Sequence, residues 1–204
     1  MPTQSPKPLR ADAARNSDKI VRAAVEVFGE LGPDAPLDEV ARRAGVGIAT
    51  LFRRFPDKKT LLRAVLDRQF AEQVMPAVDR ARRDADAVRG LAFVLEAAMS
   101  SAIGDYNVLT AARNAGALNG DVGDRFFDAL NPLVERGQHT GAIRDDLVPE
   151  DVRRIVGMLF SVLWTMEPGE GGWRRYVALV LDGLAPAAAS PLPMPAPPLW
   201  RAEG

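Results

Sequence analysis

Residues 37–55, LDEVARRAGVGIATLFRRF, constrain this chain more than any other stretch. The apolar spacing predicts two short helices, Leu37 to Ala44 and Ile48 to Phe55. Val40 and Ala41 face inward on the first, and Leu51 and Phe55 share one face of the second. Gly45 falls where a helix end wants a left-handed residue, because it has no Cβ to clash. Val46 plugs the angle between the helices. A small residue at 41, Gly at 45 and an aliphatic at 51 is the spacing of a helix-turn-helix whose second helix can enter a major groove. A surface helical hairpin that touches no nucleic acid is the plainer alternative. Charge argues against it. From Arg42 to Arg68 there are eight Arg or Lys against only Asp57 and Asp67, on a chain whose formal net charge is −1. Phosphate attraction accounts for that coincidence.

Three pieces, KIVRAAVEVFGELG (19–32), LDEVARRAGVGIATLFRRFP (37–56) and DKKTLLRAV (57–65), resemble the N-terminal DNA-binding domain of the tetracycline-repressor (TetR) family of bacterial regulators. The resemblance spans residues 17 to 64. It implies an all-α fold: an N-terminal three-helix helix-turn-helix DNA-binding domain followed by a helical ligand-binding and dimerisation domain. It also implies a homodimer on an inverted-repeat operator, and release of DNA when a small molecule binds the body. By position, Gly47, Ile48, Ala49, Thr50, Phe52 and Arg53 fall where the family's recognition helix meets DNA. Lys58 falls on the family's phosphate-contacting lysine, and Pro36 and Leu37 where the second helix approaches the backbone. Arg42, facing outward, joins this set. Phe52 stands where Tyr is common and lacks its hydroxyl. Arg53 replaces a frequent His, and Ile48 an often polar residue, which favours contact with thymine methyls. Ala35-Pro36 lacks the usual hydroxyl-bearing cap.

Charge divides the chain. Residues 1–70 hold 13 basic and 9 acidic residues; residues 71–204 hold 13 and 18. A basic head on an acidic body suits a DNA reader joined to another module. The expected divisions are a structureless arm over 1–15, a helix-turn-helix domain over 16–70, a helical effector and dimerisation domain over 71–186, and a Pro-rich tail over 187–204. Asn16 or Ser17 is expected to cap the first helix, which carries Ile20, Ala23, Ala24, Val27, Phe28 and Leu31 and ends at Gly32. Asp57 is expected to cap the helix that starts at Lys58, and Pro76 to kink or stop it. Zero Cys excludes disulfides and thiolate chemistry and is compatible with the cytoplasm. The polar N-terminus does not read as a secretory signal, and no uncharged stretch approaches the ~20 residues a spanning helix needs, so no membrane partner is expected.

The body reads as further helices. One stripe runs from Val88 to Ile103, and Tyr106 to Ala117 is a weaker helix. Asp121 is a candidate cap for a helix bearing Phe126, Phe127, Leu130, Leu133 and Val134. Pro149 with Glu150 and Asp151 marks another start. Ile155 to Met166 has no charge and is expected to be buried on every side. The last helix carries Trp173, Tyr176, Val177, Val180, Leu181 and Leu184. The resembled family makes its dimer from its last two long helices, which points to Val152, Ile155, Val156, Leu159, Leu163, Trp173, Tyr176 and Val180. For a small apolar effector, the large apolar residues Phe93, Met99, Leu109, Phe126, Leu130, Met158 and Val162 are candidates, with Arg113 and Asn114 as polar contacts. The tail after Ala185 reads as polyproline-like and untethered.

Catalytic patterns do not assemble. His139, the only His, reads as a helix-end or loop residue, and Asp145, Asp146, Glu150 and Asp151 as helix-capping acids, not metal ligands. There is no Gly-rich phosphate loop, GxSxG or HExxH. No cofactor is expected. A helical adaptor working through its apolar helix and Pro-rich tail, and an activator in place of a repressor, are the alternatives to a ligand-responsive repressor.

Overall fold

The protein is described from a computed structural model, which covers residues 7–118, 121–167, 171–188 and 190–197, with backbone alone for 7–13, 121–123 and 188. Every regular element among them is helical: α1 (Lys7–Leu31), α2 (Leu37–Ala44), α3 (Ile48–Arg54), α4 (Lys58–Gln69), a π-helical turn (Phe70–Val74), α5 (Met75–Arg83), α6 (Ala87–Gly104), α7 (Tyr106–Asn114), α8 (Asp121–His139), α9 (Pro149–Val162) and α10 (Trp173–Gly183). Two short 3-10 turns, Leu163–Thr165 and Pro186–Ala188, follow α9 and α10.

Backbone contacts divide the chain into two units. One comprises Met1–Gln69 and Asp105–Val122; the other comprises Phe70–Gly104 and Gly123–Gly204. In the first unit, α1 buries Ile20, Ala23, Ala24, Val27 and Phe28 at its predicted spacing. They pack with Val40 and Ala41 of α2, Leu51 of α3, Phe55, and Leu61, Leu62 and Val65 of α4. Each Ile, Val, Leu or Phe among them contributes about 1.5–3 kcal/mol when fully buried. Gly32, at φ 88°, ends α1 as expected.

Two expectations change here. The arm assigned to 1–15 is helical from Lys7, so neither Asn16 nor Ser17 caps α1. Ala11, Ala13, Ala14 and Arg15 extend a helix at little cost once it is nucleated, and Pro8 sits in the first turn, where its missing N–H is no loss. Residues 1–6 of that arm lie outside the described residues. Second, α7 was assigned to the body, yet Val108, Ala111, Ala112 and Ala117 join the core of the first unit. Its small residues allow close approach to α1, and Asn107 donates its amide to the Gly29 carbonyl at 3.0 Å.

The second unit gathers α5, α6, α8, α9 and α10. The predicted break near Pro76 is present: Pro76 lies in the first turn of α5, after the π turn. Gly90 of α6 lies against Ala81 of α5, where an added Cβ would be 3.2 Å from the Ala81 Cβ. Arg136 of α8 donates to the Ala81 and Arg82 carbonyls at 2.9 and 3.1 Å, satisfying the C-terminus of α5. Pro149 opens α9, whose entry is fixed by the Val148 N–H donating to Asp151 Oδ2 at 3.2 Å. The side chain of Asp121, the expected cap of α8, lies outside the described residues. The helix α6 is long and apolar enough to span a bilayer by length and composition. It nevertheless carries Arg89 and Glu96, and Leu91, Val94, Leu95 and Met99 lie in the core.

Two further expectations fail in this unit. The uncharged stretch after Ile155 is not buried on every side, since Gly157, Met158 and Ser161 are exposed. The tail is not untethered over 190–197. Arg144 donates to the Ser190 carbonyl at 2.6 Å, the Leu192 N–H donates to Asp146 Oδ2 at 3.2 Å, and Arg154 donates to the Pro197 carbonyl at 2.6 Å. Pro197 presents its carbonyl to Arg154 without an N–H of its own. Residues 198–204 lie outside the described residues.

Candidate nucleic-acid interface

The turn between α2 and α3 is built by Gly45. It adopts φ 67°, ψ 34° and donates to the Arg42 carbonyl at 3.2 Å, while the Val46 N–H reaches the Ala41 carbonyl at 3.0 Å. This paired bonding closes the helix end and requires a left-handed residue. Gly47 then starts α3 with extended backbone and no side-chain cap. Below α3, Leu51 and Phe55 are buried. On its outer side Gly47, Ile48, Ala49, Phe52 and Arg53 are exposed, and Thr50 is half-buried. Sequence spacing therefore separated anchor from outward face correctly within this helix.

Pro36 is exposed at the start of α2 and, as its lack of a hydroxyl implied, provides no side-chain cap; Leu37 is half-buried. The Lys58 ammonium donates to the Pro33 carbonyl at 2.9 Å and lies 5.0 Å from the centre of the Phe28 ring. Asp57 caps α4, accepting from the Thr60 N–H at 2.6 Å, and that bond holds its carboxyl below the usual range.

The positive run is partly neutralised by acids outside the window in which it was counted. Arg42 makes a two-bond pair with Glu39, at 2.7 and 2.5 Å. Arg43 makes one with Glu30, at 2.8 Å for both bonds. Hydrogen bonding to these guanidinium groups depresses the pKa of Glu39 and of Glu30. Arg43 thus fastens α2 to α1, and Arg42 is engaged before any DNA arrives. Arg53, Arg54 and Lys59, at the end of α3 and the start of α4, are exposed as well.

The residues considered for an effector fall in different units. Leu109, buried, and Arg113 and Asn114, both exposed, belong to the first. In the second, Met99 and Leu130 are fully buried. Phe126 makes edge-to-face contacts with Phe70 and Phe127, at 6.1 and 5.4 Å between centroids. Phe93 is covered by the Arg80 guanidinium at 3.9 Å. Val162 is half-buried, whereas Met158 is exposed and is corrected from a lining residue to a surface one. An open groove of about 730 Å³ is lined by Asp146, Val148, Glu150, Asp151 and residues 191–196, none of them among the effector candidates.

The interface residues also need correction. Val152, Val156, Leu159, Leu163 and Trp173 are buried in their own unit, because the stripe that looks most apolar in α9 and α10 is the one turned to the core. Ile155 and Val180 are half-buried. Tyr176 is exposed, as is Leu179, which the sequence reading passed over although it follows Tyr176 at helical spacing. His139 sits at the end of α8 as expected, its Nδ1 2.6 Å from the Glu135 carbonyl.

The sequence model for bacterial regulatory proteins of the tetR family matches residues 20–65. An uncharacterised HTH-type transcriptional regulator of Pseudomonas putida, TtgW, is 44% identical over 57 residues, covering 28% of this chain and 42% of that protein. An uncharacterised HTH-type regulator of Mycobacterium tuberculosis is 37% identical over 62 residues, covering 30% and 33%. The chain thus spans less than half the length of these curated relatives. Solved structures match over far more. A TetR transcriptional regulator of Streptomyces coelicolor is 30% identical, with 84% of this chain and 99% of that one covered and a TM-score of 0.58. A TetR-family regulator of Pectobacterium atrosepticum is 22% identical, with 87% and 97% covered and a TM-score of 0.69. The regulator FadR of Bacillus subtilis, solved in complex with stearoyl-CoA, is 19% identical, with 84% and 99% covered and a TM-score of 0.63. With the tetR pattern in its helix-turn-helix and a relative at 30% identity matched over 99% of that relative's length, this chain belongs to the TetR family of DNA-binding transcriptional regulators.

Proposed function

We propose that this regulator represses transcription as a homodimer on an inverted-repeat operator and releases it when a small, mostly apolar molecule binds its body. One observation carries the reading: α3 exposes Ile48, Ala49, Phe52 and Arg53 while Leu51 and Phe55 hold it from beneath. Such a helix offers thymine-methyl contacts from Ile48 and Phe52 and a charge-assisted donor from Arg53. Arg42 joins once it exchanges Glu39 for phosphate, and Lys58 adds phosphate attraction from the start of α4. Pro36, Leu37, Gly47 and Thr50 complete the surface. The head is the unit holding α1 to α4, with α7 now included; the effector and dimer functions belong to the body.

Dimerisation is supported by apolar surface that one chain leaves outside. Met158 of α9 and Tyr176 and Leu179 of α10 are 60%, 40% and 55% exposed. The effector reading is supported by FadR, a protein of this fold solved with stearoyl-CoA. The protein acts by binding alone, without a cofactor or catalytic step, in the cytoplasm, where the DNA is.

The test is selection of bound duplexes from a random-sequence library by the full chain, followed by titration with long-chain acyl-CoA and small aromatic ligands. An inverted repeat among the selected duplexes, with affinity lowered by such a ligand, supports the reading. Selection of no sequence sinks it. A reporter that loses expression when the regulator is deleted would make it an activator.

A further inference from the structure

The helix α1 begins at Lys7, well before Ile20, the first of its residues in the core of the head. At about 1.5 Å per residue, residues 7–19 span roughly 20 Å. Within that stretch Ala14, Arg15, Asp18 and Lys19 are exposed, and Asn16 and Ser17 are half-buried. A short helix that is polar all round is marginal alone and gains from contact with something else.

Its charges are also arranged against the helix that carries them. Residues 7–22 hold Lys7, Arg10, Arg15, Lys19 and Arg22 against Asp12 and Asp18, whereas residues 23–31 hold only Glu26 and Glu30. The first turn has no acid and the last turn no base, the reverse of what the two ends of a helix favour. Arg15, Lys19 and Arg22 follow one another at four and three residues, so they line one face, and all three are exposed. Like charges at these spacings repel and weaken a helix. The acids further along, Glu26 and Glu30, lie 3.8 and 2.8 Å from Arg43 of α2. Local choices that oppose their own helix point to a partner outside it.

We propose that Arg15, Lys19 and Arg22 form a further phosphate-binding surface of the head, which holds the backbone of duplex DNA in addition to the contacts of α2, α3 and the start of α4. The inference rests on the DNA-binding reading above. The stripe and α3 belong to the same compact unit. Lys7 and Arg10 continue its positive charge toward the start of α1. Contacts of this kind add affinity and fix the position of the head, and carry no sequence information. A lipid surface is another polyanion that a basic helix can meet. A helix that lies in a membrane surface needs a broad apolar face, however, and Leu9 is the only large apolar residue in 7–19.

The experiment compares the full chain with the triple variant Arg15→Gln/Lys19→Gln/Arg22→Gln. Both are titrated with salt on a duplex from the selection described above and on a scrambled duplex of equal length. The triple variant should lower the slope of log affinity against log salt by roughly two to three units on both duplexes. The ratio of the two affinities should barely move. Its melting temperature should equal or exceed the parent's, because repulsion along the stripe is relieved. Arg15→Lys/Arg22→Lys keeps the charge and should keep the slope. An unchanged slope in the triple variant overturns the proposal. So does a triple variant that melts well below the parent, because the stripe then supports the fold. An unchanged slope together with lost binding to phosphatidylserine vesicles overturns it in favour of a lipid surface. If the parent binds no duplex, the DNA-binding reading fails first and takes this inference with it.

Discussion

The Lys58 ammonium donates to the Pro33 carbonyl at 2.9 Å, tying the start of α4 to the loop that follows α1. The family pattern assigns this lysine to a phosphate, and the intramolecular bond gives it a second task. Three ammonium protons allow both at once. Lys58→Ala is therefore expected to lower the salt dependence of DNA binding by roughly one unit of slope. It should also destabilise the head by about 1 kcal/mol, through the lost hydrogen bond and the uncovered Phe28 ring. Salt titrations and denaturant melts separate the two effects. Unchanged binding at about 0.2 M salt would remove Lys58 from the interface.

Gly45 has room for a side chain but not the backbone for one. An added Cβ would meet nothing within 4 Å, yet φ is 67°. Gly45→Val should cost about 1–2 kcal/mol from left-handed strain alone, and Gly45→Asn distinctly less. Gly137 is the opposite case: a Cβ there would lie 2.5 Å from Ile143 Cδ1 and 2.7 Å from Cγ1. Gly137→Ala should cost about 1–3 kcal/mol by overpacking. Denaturant melts that find Gly45→Val as stable as the parent would refute the strain argument.

What could be read from the sequence follows the reach of local rules. The helix-turn-helix was legible because its determinants lie close together: Ala41, Gly45 and Leu51 fix turn and anchor, and the exposed face of α3 follows. The burial of α7 with α1 was not legible, since it rests on the Asn107–Gly29 bond and small-residue packing distant in sequence. Periodicity also misdirected the interface assignment. It identified the apolar stripe of α9 but not whether that stripe faces its own core or a partner, so Leu159 was assigned outward and Leu179 overlooked. Charge counting failed in a related way, because Glu30 and Glu39, which hold Arg43 and Arg42, stood outside the counted window.

The ion pairs of the body predict a pH response. The Arg89 guanidinium beside Asp84, helped by the Asp86 N–H, lowers the Asp84 carboxyl from 3.8 to about 2. A depressed carboxyl contributes stability that is present above its unfolded value and lost as pH falls through its folded one. The melting temperature of the parent should therefore exceed that of Asp84→Asn near pH 6, with the gap closing between 3.8 and about 2. The Arg89 side of the pair is open to solvent, so the gap is small and salt should narrow it. A gap that widens toward acid would contradict the assignment.

Met158 and Leu179 test the proposed homodimer. Each is more than half exposed on a helix whose other side is in the core. An apolar side chain so exposed gains by association with a second copy, and a two-fold partner would present the same residues. Met158→Arg and Leu179→Arg place a charge on that surface without touching the core. Both variants are expected to fold, to melt as single bodies, and to scatter light as monomers at concentrations where the parent is a dimer. Each monomer would keep one half-site's contacts and lose the two-fold gain, so affinity for an inverted repeat should fall steeply while affinity for a single half-site barely moves. Leu159→Arg is the contrast, because Leu159 is buried in its own unit. It should unfold the body, at a cost of several kcal/mol for an unpaired buried charge. If Met158→Arg and Leu179→Arg both remain dimeric, the association surface lies elsewhere on the chain.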